Sequence, residues 1–397
     1  MSSQRTPVDN KSMPHLKVTW NIAWNLTMVV TLLLIGCGSP TAQPTQTAIY
    51  VVRVIHGSGS GSYHVGSTIY IWANPSNPGW SFDSWKGDTE EFPDIRSMHV
   101  TLVMPSRDLW VKATYKQIPL WQAEYEVIAG RDVYYYFPPV SKGIILFFHG
   151  SGGDAREWTD LGAERRYFYD EAIAEGYTII AINSIDRVNK EWEVGLPVET
   201  NPDIQGVSSI LDVFRSRGQI KDTTSIYGIG MSRGGRFATI AGYALRMKAV
   251  AMMVANSVEE MISVSTVPMM WCLAQHDVII ERDQAFADYQ QLKKRGVDTD
   301  FYVHSSTPLY PFYFVITNGI DYAGSAQFFA DLKDHGFLDE NNFLIENPRF
   351  SNWQTFAADY SEEIRLDIQD RLYVAYGEHA FYSDCDHRIL DFFNAHP

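Results

Sequence analysis

The sequence predicts an α/β fold with a mostly parallel sheet, preceded by a small β-rich domain. Three observations carry this expectation. From residue 143 onward, continuous apolar runs of strand length (143–148, 177–182, 249–254 and 267–274) alternate with helix-like stretches. Runs without polar alternation suit strands buried on both faces, as in parallel sheets. Second, Gly230-Met231-Ser232-Arg233-Gly234 lies between an apolar run, 224–229, and a helix-like segment, 236–247. Third, residues 48–117 carry short alternating runs separated by Gly-Ser clusters, the mark of antiparallel strands.

The N-terminal elements come first. Lys17 precedes an apolar run, 28–35, that is too short to span a bilayer. It ends in Leu34-Ile35-Gly36-Cys37, which resembles the bacterial lipoprotein box. That resemblance implies a signal peptide over 1–36, cleavage before Cys37 and a lipid carried on its sulfur. An ordinary signal peptide is the alternative. Residues 37–47, rich in Ser, Pro, Thr and Gln, read as a polar tether with nothing to bury. The expected localisation is exported, membrane-anchored, at the cell envelope or surface.

Residues 48–117 read as a separate small unit with strands near 49–54, 67–72, 98–104 and 109–115. The Gly-Ser repeat 57–62 with Tyr63, then Trp80 to Asp88, then Met104-Pro105 and a closing strand, is similar to the internalin-type B-repeat. The resemblance implies a compact β-rich module of exported proteins, without catalysis. It is a spacer, or it binds wall or glycan through Trp80 and Trp85; at least one of these tryptophans is expected in the core.

Residues 118–397, about 280, suffice for one large α/β core. Gly230 and Gly234 flank Ser232 because a side chain at either place would collide with the neighbouring strand or helix. The turn pushes the serine out at the sheet edge, beside a helix N-terminus whose free N–H groups suit an oxyanion. The run 143–148 ends in His149-Gly150-Ser151-Gly152-Gly153, a glycine-rich turn that can supply an oxyanion donor near Ser151, the other being the N–H of Arg233. The run 267–274 is followed by Asp277, a carboxylate able to orient an imidazole; its plain alternative is a loop or cap aspartate. Arg371 to Tyr376 reads as a strand, followed by Gly377-Glu378-His379 and a terminal helix, 388–393. His379 is then the base for Ser232. His304, ending a strand-like run at 299–304, and His387 compete with it; His379 is preferred because a glycine precedes it and a terminal helix follows.

The order Ser232, Asp277, His379, with these flanking patterns, resembles the α/β-hydrolases, most nearly the esterase and dienelactone-hydrolase group. The resemblance implies nucleophile Ser232, acid Asp277, base His379 and oxyanion donors near Ser151 and Arg233. Dienelactone hydrolases proper use cysteine as nucleophile, so a serine here leans toward the esterase and peptidase relatives. The Asp277–His379 gap is long, and about 305–370 reads as an insertion, either a substrate lid or a surface elaboration.

Net charge is −15 and the pI near 5.1, which disfavours nucleic acid as a partner. Besides Cys37 there are Cys272 and Cys385; export permits a bridge, but Cys272 lies mid-strand, where a thiol behaves as a small apolar group. No cysteine–histidine cluster has metal-ligand spacing and no phosphate loop is present, so neither metal nor cofactor is expected. The expected function is ester hydrolysis through an acyl-enzyme, on a small-molecule or polymer-borne ester. A serine peptidase of the same fold, and a catalytically silent surface-binding protein, are the alternatives.

Overall fold

The computed structural model describes residues 48–159 and 162–397. The leader, Cys37 and the tether expected over 1–47 lie outside the described residues. Among these residues no helix is long and apolar enough to cross a membrane.

The N-terminal module has seven strands: β1 (Ile49–Ile55), β2 (Gly57–Ser58), β3 (Gly61–His64), β4 (Thr68–Ala73), β5 (Trp80–Gly87), β6 (His99–Val103) and β7 (Leu109–Gln117). They form a four-stranded sheet, β3-β1-β7-β5, facing a three-stranded one, β2-β4-β6. Two short segments expected as Gly-Ser turns, 57–58 and 61–64, pair as strands instead. Glycine and serine next to tyrosine leave the backbone free to enter a ladder when a neighbour supplies the partner groups. The core gathers Val52, Ile71, Phe82, Trp85, Val100 and Val111. Trp85 is fully buried, whereas Trp80 stands 44% exposed.

The larger domain is built on an eight-stranded sheet. Its strands are β8 (Glu124–Ile128), β9 (Arg131–Tyr136), β10 (Gly143–Phe148), β11 (Tyr177–Ile182), β12 (Ile226–Met231), β13 (Ala249–Met253), β14 (Met269–Ala274) and β15 (Thr299–His304). The spatial order is β15-β14-β13-β12-β10-β11-β9-β8. Strands β10 to β15 run parallel, β9 is antiparallel to β11, and β8 antiparallel to β9. Counted from its own first strand this is 1-2-4-3-5-6-7-8, the α/β-hydrolase arrangement. Every residue of β10, β11, β13 and β14 is buried, as their unbroken apolar runs require.

Helices cover both faces. α2 (Pro202–Ser216), α3 (Arg233–Ala244), α4 (Glu259–Val264) and α5 (Arg282–Lys294) share a core with one face. α1 (Ala163–Ala174) and α8 (Asp386–Asn394) cover the other, through Phe168, Tyr169, Ile389 and Phe393. The segment after β15 contains α6 (Tyr322–Asp334), a 3-10 turn (Trp353–Ala357) and then α7 (Glu362–Tyr376). It has its own apolar core, including Tyr313, Phe314, Phe328, Leu332 and Trp353, closed by Ile368 and Leu372 of α7.

One expectation is corrected. Residues 371–376 are not a strand but the last turns of α7, which starts at a Ser361 side-chain cap and stops at Gly377. Gly377 has φ 77°, the left-handed helix stop that glycine adopts without penalty. The last core strand is therefore β15, ending at His304. The N-terminal module packs against the sheet domain, and residues 48–397 form one compact unit. Lys116 and Ser81 both meet Glu171 of α1 at 2.7 and 2.5 Å, His387 of α8 meets Asp94 at 2.5 Å, and Trp72 packs on Tyr310 at a ring distance of 4.9 Å. Cys272 and Cys385 are both buried free thiols, in keeping with the mid-strand place of Cys272.

Candidate active site

The C-terminal edge of the parallel strands is where an open α/β sheet presents loops for chemistry. Ser232 lies there, between β12 and α3. Its backbone is held at φ 53°, ψ −122°, a strained conformation for a residue with a Cβ. Two close approaches enforce it. A Cβ on Gly230 would stand 2.1 Å from the Gly234 carbonyl oxygen. One on Gly234 would stand 2.2 Å from the Phe148 carbonyl oxygen of β10. The expectation of collisions with strand and helix thus corresponds to named atoms. Ser232 N–H donates to Met253 O at 2.9 Å, which ties the turn to β13. Among the described residues its hydroxyl has no hydrogen-bond partner, so the structure does not join it directly to an imidazole.

Arg233 is the first residue of α3, so its N–H has no carbonyl within the helix to bind. Its side chain turns away: Nε donates to Trp192 O at 2.7 Å. Facing this turn is the loop after β10, where Gly153 N–H donates to Gly150 O at 3.0 Å across Ser151. Gly150 is the near neighbour of Ser232, since a Cβ there would lie 3.6 Å from that of the serine. His149 beneath this loop is buried and neutral. Burial pushes its imidazole down to about 4. Its Nδ1 faces Gly150 O at 2.7 Å and its Nε2 accepts the Ser184 N–H at 3.1 Å, which fixes Nδ1 as the protonated nitrogen. Trp192 closes the loop by donating Nε1–H to His149 O at 3.0 Å.

Asp277 and His379 are brought together. His379 Nδ1 lies 2.8 Å from Asp277 Oδ2. The other carboxylate oxygen accepts the N–H groups of Ile279 at 2.7 Å and Ile280 at 3.0 Å. With Nδ1–H committed to a fixed carboxylate, Nε2 is the nitrogen left with a lone pair. The two loops are also tied through backbone, by His276 N–H to Gly377 O at 2.7 Å.

His304 is placed elsewhere. It is buried under α7 and α8, with Nδ1 2.7 Å from Asp384 Oδ2 and Nε2 2.7 Å from Val374 O. Both ring nitrogens face acceptors, so this ring is a structural cation with no lone pair to offer. His387 is in α8, against Asp94.

One residue escaped the sequence reading. Glu378, fully buried, accepts the N–H of His379 at 2.9 Å and that of Val278 at 3.4 Å on one oxygen. Asn347 Nδ2 donates to its other oxygen, and Arg349 Nη2 lies 3.4 Å from the first. One carboxylate therefore clasps the acid loop, the base loop and the 305–370 segment. Its signal in the sequence was a charged residue in a stretch otherwise poor in charge, directly before the histidine.

Residues 48–119 match a family model described as a divergent InlB B-repeat domain. Comparison with curated proteins gives no match. Among solved structures the chain is similar to MGS-M1, an alpha/beta hydrolase enzyme from a Medee basin deep-sea metagenome library. That likeness has 16% identity, 54% of this chain, 96% of that chain and TM-score 0.37. A thermophilic esterase from the Planctomycetes species Thermogutta terrifontis gives 13% identity, 55% and 94% coverage, and TM-score 0.36. Acyl-protein thioesterase 2 of Zea mays gives 15% identity, 45% and 91% coverage, and TM-score 0.33. The α/β-hydrolase fold is assigned from strand order and from the turn at Ser232, not from these likenesses.

Proposed function

We propose that residues 118–397 are a serine hydrolase acting on a carboxylic ester. The observation that carries this reading is the Asp277–His379 pair, held at 2.8 Å at the same sheet edge as a strained serine. His379 Nε2 takes the proton of Ser232 as Oγ attacks the ester carbonyl. The oxyanion forms against the N–H groups of Arg233 and the loop at Ser151. His379 then hands the proton to the leaving alcohol, and water releases the acyl group by the same relay. A fluorophosphonate probe tests it. Labelling of the purified chain that vanishes in Ser232→Ala, with turnover of p-nitrophenyl acetate, is expected. A folded protein that neither labels nor turns over would instead be a binding protein on a silent hydrolase fold.

The proposal extends to the N-terminus, where Leu34-Ile35-Gly36-Cys37 supports export and a lipid on Cys37. Metabolic labelling with a fatty-acid probe in a bacterial host is expected to mark the chain and to be lost in Cys37→Ala. Equal labelling of both would end the lipoprotein reading.

A further inference from the structure

Between β11 and α2 the chain runs through a loop, 183–201, that touches both halves of the candidate site. One carboxylate closes its part from Ile185 to Glu193 at both ends. Asp203, fully buried in the first turn of α2, accepts Ile185 N–H on Oδ1 and Glu193 N–H on Oδ2, each at 2.8 Å. Arg131, also buried, meets the same Oδ1 at 2.8 Å. Opening this closure would leave a charge buried and uncompensated, so the loop is held in one shape.

Four contacts tie residues 184–192 to the loop after β10. Ser184 N–H donates to His149 Nε2 at 3.1 Å, Arg187 Nη2 to Asp154 Oδ2 at 2.7 Å, Gly152 N–H to Lys190 O at 3.1 Å and Trp192 Nε1–H to His149 O at 3.0 Å. Lys190 offers its carbonyl from a left-handed backbone, φ 53°, which a residue with a Cβ adopts only at a cost. Gly152 N–H is thereby taken, as Gly153 N–H is by Gly150 O, and among the described residues Ser151 N–H has no partner. A further tie reaches the nucleophile turn, where Arg233 Nε donates to Trp192 O at 2.7 Å.

Trp192 thus binds both halves, with its indole N–H on His149 O and its own carbonyl on Arg233. Its ring is fully buried, stacked on Phe237 of α3 at 4.4 Å and edge-on to Phe148 of β10 at 5.1 Å. β10 leads into the loop at Ser151, and α3 begins at Arg233. A flat ring wedged between that strand and that helix sets the gap between the two N–H groups. Donors serve an oxyanion only within about 2.7–3.1 Å of it, so a small change in the gap is felt in the rate.

Resting on the hydrolase reading above, we propose that Trp192 is the positioning residue of the oxyanion hole. It touches neither the substrate nor the reacting atoms. It fixes Ser151 N–H against Arg233 N–H, so that both reach one oxygen.

The test compares the full wild-type chain with two variants. Trp192→Phe keeps a stacked ring and loses the indole donor. Arg233→Ala keeps the backbone N–H and loses the tie to Trp192 O. Fluorophosphonate labelling run to completion counts the active sites of each protein, which removes misfolded chains from the comparison. Turnover of p-nitrophenyl acetate per labelled site is then measured, with inhibition by phenethyl trifluoromethyl ketone. Ser232 Oγ adds to that ketone, its proton passes to His379, and the carbonyl π pair becomes an oxyanion, so affinity reports the hole. In Trp192→Phe, kcat per site is expected to fall about tenfold or more, and in Arg233→Ala about threefold or more, with KM within about twofold. Ketone affinity is expected to fall in proportion to kcat. A tryptophan that only filled the core would lower the melting temperature or the number of labelled sites and leave the per-site values alone. The inference is overturned if kcat per labelled site is unchanged in Trp192→Phe, or if it falls while ketone affinity holds. Should Trp192→Phe give no labelled sites, Arg233→Ala decides by the same two values. A wild-type chain that neither labels nor turns over ends the hydrolase reading and this inference with it. A wild-type chain that does both, with unchanged per-site values in the variants, ends this inference alone.

Discussion

At Ser232 the backbone sits where a side chain is unwelcome, and two neighbouring glycines leave it no other course. The strain is held by packing, because β10 passes within 2.2 Å of where a Gly234 Cβ would be. His304 carries a different kind of constraint. Burial alone would lower its pKa, but Asp384, Val374 O and the more distant Glu164 raise it above the usual 6.5. Tyr382 stacks on its ring at 4.5 Å. For Asp384, burial raises the pKa, yet His304 and the Tyr302 hydroxyl bring it below 3.8. A histidine raised on folding contributes stability that is full below pH 6.5 and fades as pH climbs through the folded value. Asp384 contributes above pH 3.8 and loses that only in stronger acid. Melting temperatures from pH 5 to 9 should therefore show wild type falling toward His304→Gln as the medium becomes alkaline. Curves that stay parallel would show that the ring is not the charged partner.

Among the elements, α7 explains most of what the sequence concealed. Arg371, Leu372, Tyr373, Val374 and Ala375 are all buried, so no exposed face breaks the run into a helical period. A short apolar run reads equally as buried strand or buried helix, and the aromatic and β-branched residues favoured strand. Gly377 was the better guide, as a helix stop. His379 still meets Asp277 at 2.8 Å, and the glycine and terminal helix that flank it are real neighbours even though the strand is not. Strands β10, β11, β13 and β14 were legible because each is buried on both faces and keeps an unbroken apolar run. The clasp at Glu378 was not legible, since its partners at 278, 347 and 349 are far apart in sequence. Glu378→Ala is expected to lower kcat about 100-fold with a smaller change in KM, because a catalytic group displaced by an ångström loses that much. Glu378→Gln, which keeps the accepting oxygen for His379 N–H, should recover part of it. Equal losses in kcat for both, with a lowered melting temperature, would reduce Glu378 to a fold-stabilising residue.

Across the whole molecule, the module at 48–117 and the sheet domain share a polar seam. Lys116–Glu171, His387–Asp94 and the Arg96–Asp391 pair cross it, beside the Trp72–Tyr310 contact. Exposed ion pairs are each worth only about 0–1 kcal/mol, so the seam must work through their number and the packed rings. Calorimetry on residues 48–397 should give one cooperative transition, and deletion of 48–117 should lower the melting temperature of the remainder. Two resolved transitions, with an unchanged remainder, would make the module an independent bead.

That seam also sets an order in time. Two partners of the module, His387 and Asp391, lie 293 and 295 residues further along the chain than Asp94 and Arg96, which they meet. A nascent chain can fold the module early but cannot seat it fully until α8 has emerged. The module is thus synthesised well before its seat, and a chain stopped short of α8 carries an unmated surface that marks it as unfinished.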